Sequence, residues 1–169
     1  KLLLTGKISD DLELFIERDG SLVIPEFGKV YLAGKTLAEV ASLVRPGVTP
    51  LELDKRAYEF IHDHGAVPGF LNYNGFPNSL CISKNEAVVH GIPDKKEVVD
   101  GDILSVDCGV LMNGYFGDSA YTFKVGEVSK EVDDLLETTK RSLKLGIEQA
   151  VAGNRVGDIG YAVQLEAER

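Results

Sequence analysis

The sequence is poor in cysteine, basic residues and long apolar runs, and each shortage excludes a class of protein. Only Cys81 and Cys108 are present among 169 residues, too few for a disulfide framework, so a reducing compartment such as the cytoplasm is predicted. Eighteen Lys and Arg against 27 Asp and Glu give a net charge of −9, which disfavours nucleic-acid binding because phosphate recognition needs clustered basic groups. No apolar run approaches the roughly 20 residues that span a bilayer, so no membrane segment is expected.

What the chain does contain is the mixture typical of a globular domain. Hydrophobic residues make up 44% and charged residues 27% of the sequence, which excludes disordered and collagen-like classes. The first residue is Lys1, the single Met is Met112, and Arg169 lies inside a predicted helix without a stop signal. We therefore expect one or both ends to be cut, with part of the function outside this sequence.

Local signals predict the following order of elements. A hairpin covers 11–25, with Asp19-Gly20 as its two-residue turn, because Gly tolerates a positive φ. A helix is expected over 36–44, and a second begins at Thr49, where Pro50 and Glu52 complete a capping box. The stretch 66–101 is predicted to be irregular, with aromatic residues and His90 in its loops.

Two strands, 103–110 and 115–123, are predicted to form a second hairpin through Asn113-Gly114. A long helix capped by Ser129 follows, and Gly153 separates it from a last helix. Gly47 and Gly153 each precede a similar helix start, which is a faint internal repeat. Helix-break-helix patterns are common, so this repeat carries no conclusion by itself.

The second hairpin places two carboxylates side by side. If Asn113-Gly114 is the turn, Asp107 opposes Ala120 and Asp118 opposes Gly109, so the two aspartates are diagonal neighbours on one face, roughly 7–8 Å apart. Such a pair persists if a cation lies between them or if one takes up a proton. The small neighbours Gly109 and Gly117 are expected to leave room for a divalent metal. From the spacing alone, a solvated strand Asp beside a turn Asp is the favoured interpretation, because paired Asp residues are common near hairpins.

His90 is the second candidate. The sequence predicts an apolar strand at 88–89 that enters a Gly/Pro turn, where a neutral imidazole could transfer a proton near neutral pH. A His satisfied by a backbone carbonyl is the competing interpretation. His62 and His64 are assigned to a helix end. Cys81 could be a nucleophile, but no neighbour in the sequence would activate it.

Several long sequence segments, taken in order, resemble those of the bacterial type of methionine aminopeptidase. They are NGFPNSLCIS at 74–83, NE at 85–86, VHGIP at 89–93, GDI at 101–103, VDCG at 106–109 and GYFGDSA at 114–120. The resemblance runs from about Lys35 to Arg169. It implies an α/β (α+β) pita-bread fold of the creatinase/aminopeptidase kind, of which this chain would be the first half.

The resemblance also implies roles for individual residues. Asp107 and Asp118 would be two of five ligands to a pair of divalent ions (Co, Mn, Fe or Zn), with Asp118 bridging both ions. His90 would contact the scissile peptide. The residues that would line the methionine pocket are Phe70, Tyr73, Phe76 and Cys81. The substrates would be peptides and nascent chains that begin with methionine.

The same resemblance exposes what this sequence lacks. The family's other three ligands, one His and two Glu, and its general base lie in a second half that no part of this chain matches. The expected domains are therefore 1–34, a β-hairpin segment of uncertain origin, and 35–169, the first half of a catalytic domain. A catalytically silent pita-bread module that binds protein partners is an alternative.

Residues 1–34 resemble another family, the bacterial polysaccharide-export proteins. The words are IERDGSLVIP at 16–25, GKV at 28–30 and AGKTL at 33–37. This resemblance suggests a junction in a chimera, a fusion or a reassembled fragment, and an unusual natural N-terminus is the alternative. It also allows a further alternative, an envelope module judged from 11–40 alone.

Overall fold

The structure, a computed structural model, describes residues 15–16, 22–24, 28–29 and 32–169. The chain divides into two compact units, the first ending at Glu127 and the second comprising Val128–Arg169. The first unit contains helices and antiparallel strands, and the second consists of two helices. Within the described ranges, no helix is long and apolar enough to cross a membrane.

A small antiparallel sheet lies near the N-terminus. Strand β1 (Phe15–Ile16) pairs with β2 (Leu22–Ile24), which pairs with β3 (Gly28–Lys29). The antiparallel pairing of β1 with β2 confirms the first hairpin, but Ile16 lies opposite Leu22 and not opposite Val23, as a two-residue turn at Asp19-Gly20 would require. Strand β3 was not predicted from the sequence. The turn at Asp19-Gly20 and most of the segment resembling polysaccharide-export proteins lie outside the described residues.

Two helices follow this sheet. Helix α1 spans Leu32–Ala41, four residues earlier than predicted, because Ala33, Thr36, Leu37 and Val40 recur at helical spacing and are all buried. Helix α2 spans Pro50–Asp63 and has the predicted capping box. The Glu52 amide donates to Thr49 Oγ1 at 3.2 Å, and the Thr49 amide donates to Glu52 Oε2 at 2.8 Å. This reciprocal pair fixes the start of α2.

A four-stranded antiparallel sheet forms the centre of the first unit. Strand β6 (Ile103–Met112) pairs with β7 (Tyr115–Lys124) on one side and with β4 (Val67–Pro68) and β5 (Leu80–Lys84) on the other. The expectation that 66–101 is irregular is therefore wrong for β4 and β5. The sequence did not predict strand β5 because its first four residues are all buried. It therefore lacks the alternation of apolar and polar residues that identifies a half-exposed strand.

The two faces of this sheet have different compositions. One face packs with α1 and α2 around a buried apolar cluster that includes Leu80, Ile82, Leu104, Val106 and Val110. The other face carries the small and polar residues of the same strands: Cys81, Ser83, Ser105, Asp107, Gly109 and Asp118. On that face, the hydroxyl groups of Ser105 and Thr122 are hydrogen-bonded at 2.8 Å.

The second unit is a helical hairpin. Helix α3 (Lys130–Glu148) is capped by Ser129 as predicted, and α4 (Val156–Ala167) follows the break at Gly153. Gly146 brings the helices together, since an added Cβ there would lie 2.9 Å from a methyl group of Val163. The buried Glu166 carboxylate on α4 pairs with Arg141 on α3.

Candidate functional site

The two aspartates lie where the hairpin register predicts. Asp107 pairs with Ala120 and Asp118 with Gly109, so the two side chains are diagonal neighbours on one face of the sheet. Both residues are half-buried, and their carboxyl groups lie within hydrogen-bonding reach of each other. Burial, followed by the charge of Asp118, raises the pKa of Asp107 from 3.8 to about 6. The pair therefore favours the uptake of a proton or a cation.

Cys81 lies directly opposite Asp107 on the neighbouring strand β5, and its side chain is only 6% exposed. Burial first, and then the charges of Asp107 and Asp118, raise the pKa of the Cys81 thiol to about 11. The thiol consequently stays protonated at neutral pH and is a poor nucleophile. It is a soft apolar neighbour of the carboxylates, whereas Cys108 points into the core on the opposite face.

Phe70 lies against the same face, on Gly109. An added Cβ at Gly109 would meet three atoms of the Phe70 ring first, with Cε1 at 2.5 Å. The expectation that Gly109 and Gly117 leave room for a metal is therefore wrong. The Phe70 ring covers Gly109, and Gly117 pairs with Val110, a residue of the core face.

His90 is exposed and close enough to Asp107 to lower the pKa of that carboxyl group. The expected strand at 88–89 is absent, and the side chains of Val88 and Val89 are 84% and 66% exposed. The next residue, Gly91, holds this segment to β5. Its amide donates to Ser83 Oγ at 3.0 Å, and its carbonyl accepts from the Ile82 amide at 2.9 Å.

A glycine is required at position 91, because an added Cβ would collide with the Ile82 carbonyl. His90 itself has a φ of 57°, in the left-handed region that few non-glycine residues adopt. Such strained geometry persists only where the surroundings impose it. Here the two hydrogen bonds of Gly91 hold the adjacent backbone, and the exposed imidazole lies near enough to Asp107 to act on its charge.

Tyr73 and Phe76 lie in a tight loop that precedes β5. The Phe76 amide donates to the Tyr73 carbonyl at 3.0 Å, and the Asn72 amide donates to the Phe76 carbonyl at 2.8 Å. The Phe76 side chain is half-buried, whereas that of Tyr73 is 69% exposed. The structure thus brings Phe70, Cys81 and His90 to the carboxylate pair, and it leaves the Tyr73 ring open to solvent.

Asp54 on α2 is a positioning residue that the sequence interpretation missed. Its buried carboxylate accepts the Ser79 and Leu80 amides at 2.9 and 2.8 Å and the Asn78 side-chain amide at 2.8 Å. These bonds fix the start of β5, one residue before Cys81. A sequence signal existed, since Asp54 lies three residues before Ala57 and seven before Ile61, on the apolar face of α2.

The chemistry of this face suits a divalent cation. Two carboxylates that repel each other supply hard oxygen ligands, and a bound cation would relieve the repulsion. Among the residues that the structure describes, no three or more His, Cys, Asp or Glu side chains group closely enough to hold a metal ion.

Comparison with known proteins agrees with this geometry. Residues 30–169 match metallopeptidase family M24. The chain belongs to that family. Membership implies a divalent metal cofactor, which is consistent with the carboxylate pair.

The similar curated proteins are methionine aminopeptidases. The chain is 48% identical to the enzyme of Clostridium acetobutylicum over 134 residues, which is 79% of this chain and 54% of that protein. It is 44% identical to methionine aminopeptidase 1 of Bacillus subtilis over 147 residues, 85% of this chain and 59% of that protein. The chain thus spans a little over half the length of the relatives it matches.

Solved structures give the same assignment of fold. The methionine aminopeptidase of Rickettsia prowazekii superposes with a TM-score of 0.80 at 41% identity, covering 81% of this chain and 55% of that one. The prolidase of Pyrococcus furiosus, at 18% identity and a TM-score of 0.68, shares the fold alone. The fold is the expected α/β pita-bread fold, and the envelope alternative finds no support in these matches.

Proposed function

We propose that this chain is the carboxylate-bearing part of a metal-dependent aminopeptidase that removes N-terminal methionine from peptides and nascent chains. The observation that carries the proposal is the diagonal pair Asp107 and Asp118, which lies beside the buried thiol of Cys81. The bacterial relatives compared are methionine aminopeptidases that are 40–49% identical to this chain in sequence. Their activity supports the choice of substrate.

Each residue of the face has a role in this proposal. Asp107 and Asp118 would hold two divalent ions (Mn, Co, Fe or Zn), and a bound ion would lower the pKa of a coordinated water and polarise the peptide carbonyl. His90, next to the pair, would hydrogen-bond to the scissile peptide. The lining of the methionine side chain would come from Phe70, Cys81 and Phe76, with Tyr73 at the exposed rim. A protonated thiol and aromatic rings suit an unbranched thioether.

The test combines metal binding with methionine release. Calorimetry with Mn²⁺ should show binding to the wild-type chain and weaker binding to Asp107→Asn. Release of methionine from a Met-Ala-Ser peptide should require Mn²⁺ or Co²⁺ and stop with EDTA. The matched control is Glu86→Gln, which removes one exposed carboxylate in the turn after β5 and should change neither result.

The outcomes separate the enzyme from a binding module. Metal-dependent release supports the proposal. Metal binding without release, from a folded sample, would show that this chain alone does not catalyse the reaction. Unaltered Mn²⁺ affinity in Asp107→Asn would contradict the ligand assignment.

A further inference from the structure

The loop at Gly69-Phe70 crosses strand β6 unusually closely. The Gly69 amide donates to the Gly109 carbonyl at 2.7 Å, and an added Cβ at Gly69 would lie 3.1 Å from the Gly109 carbonyl carbon. Two glycines therefore face each other at the crossing. This contact fixes the backbone from which the Phe70 side chain projects.

The Phe70 ring lies on the surface that Gly109 leaves bare. The three nearest atoms to an added Cβ at Gly109 would all belong to this ring: Cε1 at 2.5 Å, and Cδ1 and Cζ at 3.0 Å. Cβ contacts under 3.0 Å do not occur in real structures, so the ring would have to move. The hydrogen bond of Gly69 holds the backbone and β6 lies behind the ring, so the ring cannot move toward the sheet and would be lifted from it.

The ring lies on the same face of the sheet as the carboxylate pair. Gly109 pairs directly with Asp118 and lies two residues from Asp107 on the same face. A ring lifted from Gly109 would change the room above this face, next to the two carboxylates. The depth of that space thus depends on the missing side chain at position 109.

We infer that Gly109 is a specificity-determining residue: by seating the Phe70 ring on the sheet, it sets the size of the apolar hollow that receives the N-terminal side chain. This inference rests on the proposed function for its substrate, and on the Gly69–Phe70–Gly109 contact for its geometry. Gly109 touches neither the metal nor the peptide bond in this scheme. It acts through Phe70.

The first experiment tests the contact between Gly109 and the Phe70 ring, and it does not require enzymatic activity. Thermal unfolding of the wild-type chain, Gly109→Ala, Phe70→Leu and the double variant forms a double-mutant cycle. Gly109→Ala should lower the Tm by roughly 3–10 °C, as overpacking does, and should cost much less in the Phe70→Leu background. Gly160→Ala is the control, because an added methyl group there meets open space.

The second experiment tests selectivity. Peptides Met-Ala-Ser and 2-aminobutyryl-Ala-Ser are compared with the same four variants at saturating Mn²⁺. Gly109→Ala should raise KM for the methionine peptide about tenfold more than for the shorter one, since one methylene group in an apolar pocket changes selectivity about 10–200-fold. The kcat should change little, and Phe70→Leu in the same chain should restore the methionine preference.

The two experiments distinguish a failure of the inference about Gly109 from a failure of the proposed function. Equal Tm losses for Gly109→Ala in both backgrounds would overturn the inference, whether or not any peptide is cleaved. Coupled Tm losses with unchanged selectivity would overturn it as well. If the Tm losses are coupled but the chain cleaves neither peptide, the contact between Gly109 and the Phe70 ring is confirmed, and the result counts against the proposed function.

Discussion

The substitution Asp118→Asn should have opposite effects on the stability of the metal-free and the metal-bound protein, which makes it a sharp test of the carboxylate pair. In the metal-free chain, burial and the neighbouring Asp118 raise the pKa of Asp107 from 3.8 to about 6. A change of that size corresponds to ~3 kcal/mol between the two protonation states. Burial persists in the variant and Asp107 is only half-buried, so solvent screening reduces the part due to Asp118 to ~1 kcal/mol.

The sign follows from linkage between protonation and folding. A carboxyl group whose pKa is raised on folding favours the folded state below its ordinary pKa, near 4, and this contribution is lost as the pH rises through about 6. Asp118→Asn should therefore unfold about 2–4 °C higher than the wild-type chain at pH 7. The difference should shrink towards zero at pH 4, where Asp107 is protonated in both chains.

Metal should reverse this order. At 100 times the dissociation constant, Mn²⁺ should stabilise the wild-type chain by about 2.7 kcal/mol, whereas Asp118→Asn should gain little. The assay is calorimetric melting at pH 4 and pH 7, with EDTA or with Mn²⁺, and Glu86→Gln is the charge-matched control. A wild-type chain that is more stable than Asp118→Asn at pH 7 in EDTA would refute the reasoning.

Three further substitutions test other parts of the structure. His90→Ala should lower methionine release about 10²-fold or more with unchanged Mn²⁺ content; loss of metal would instead identify His90 as a ligand. Asp54→Ala should lower the free energy of unfolding by ~2–4 kcal/mol, because two amides lose their buried acceptor, and a loss no larger than that of the exposed Asp63→Ala would argue against this role. Ser142→Ala should raise the free energy of unfolding by ~1 kcal/mol, since the buried hydroxyl has no hydrogen-bond partner among the described residues. A lower Tm in thermal unfolding, or a lower midpoint in urea, would contradict this prediction.

Local signals were sufficient wherever a short segment decides its own structure. The capping box at Thr49 and Glu52, the N-cap at Ser129 and the turn at Asn113-Gly114 all have the predicted form. In each case the deciding groups lie within a few residues of one another. The register of β6 and β7 followed from the turn alone, because side chains alternate strictly along a strand.

Prediction was weaker where a segment depends on distant neighbours. Strand β5 was missed because both of its faces are buried, and the strand expected at 88–89 was wrong because its apolar side chains are exposed. The roles of Asp107, Asp118, His90 and the lining residues stay predictions, and so does the boundary between 34 and 35. Several long sequence segments in a fixed order predicted the family, and the family match over residues 30–169 confirms this prediction.

The sequence by itself determined the hairpin that places Asp107 diagonal to Asp118, since a two-residue turn and the two-residue period of a strand leave no freedom of register. Only the tertiary structure decided what surrounds that pair. The Cys81 thiol, the Phe70 ring and the His90 imidazole come from segments 17 to 37 residues before Asp107. They are placed by Asp54, Gly109 and Gly91 through hydrogen bonds and close approaches that no local pattern encodes.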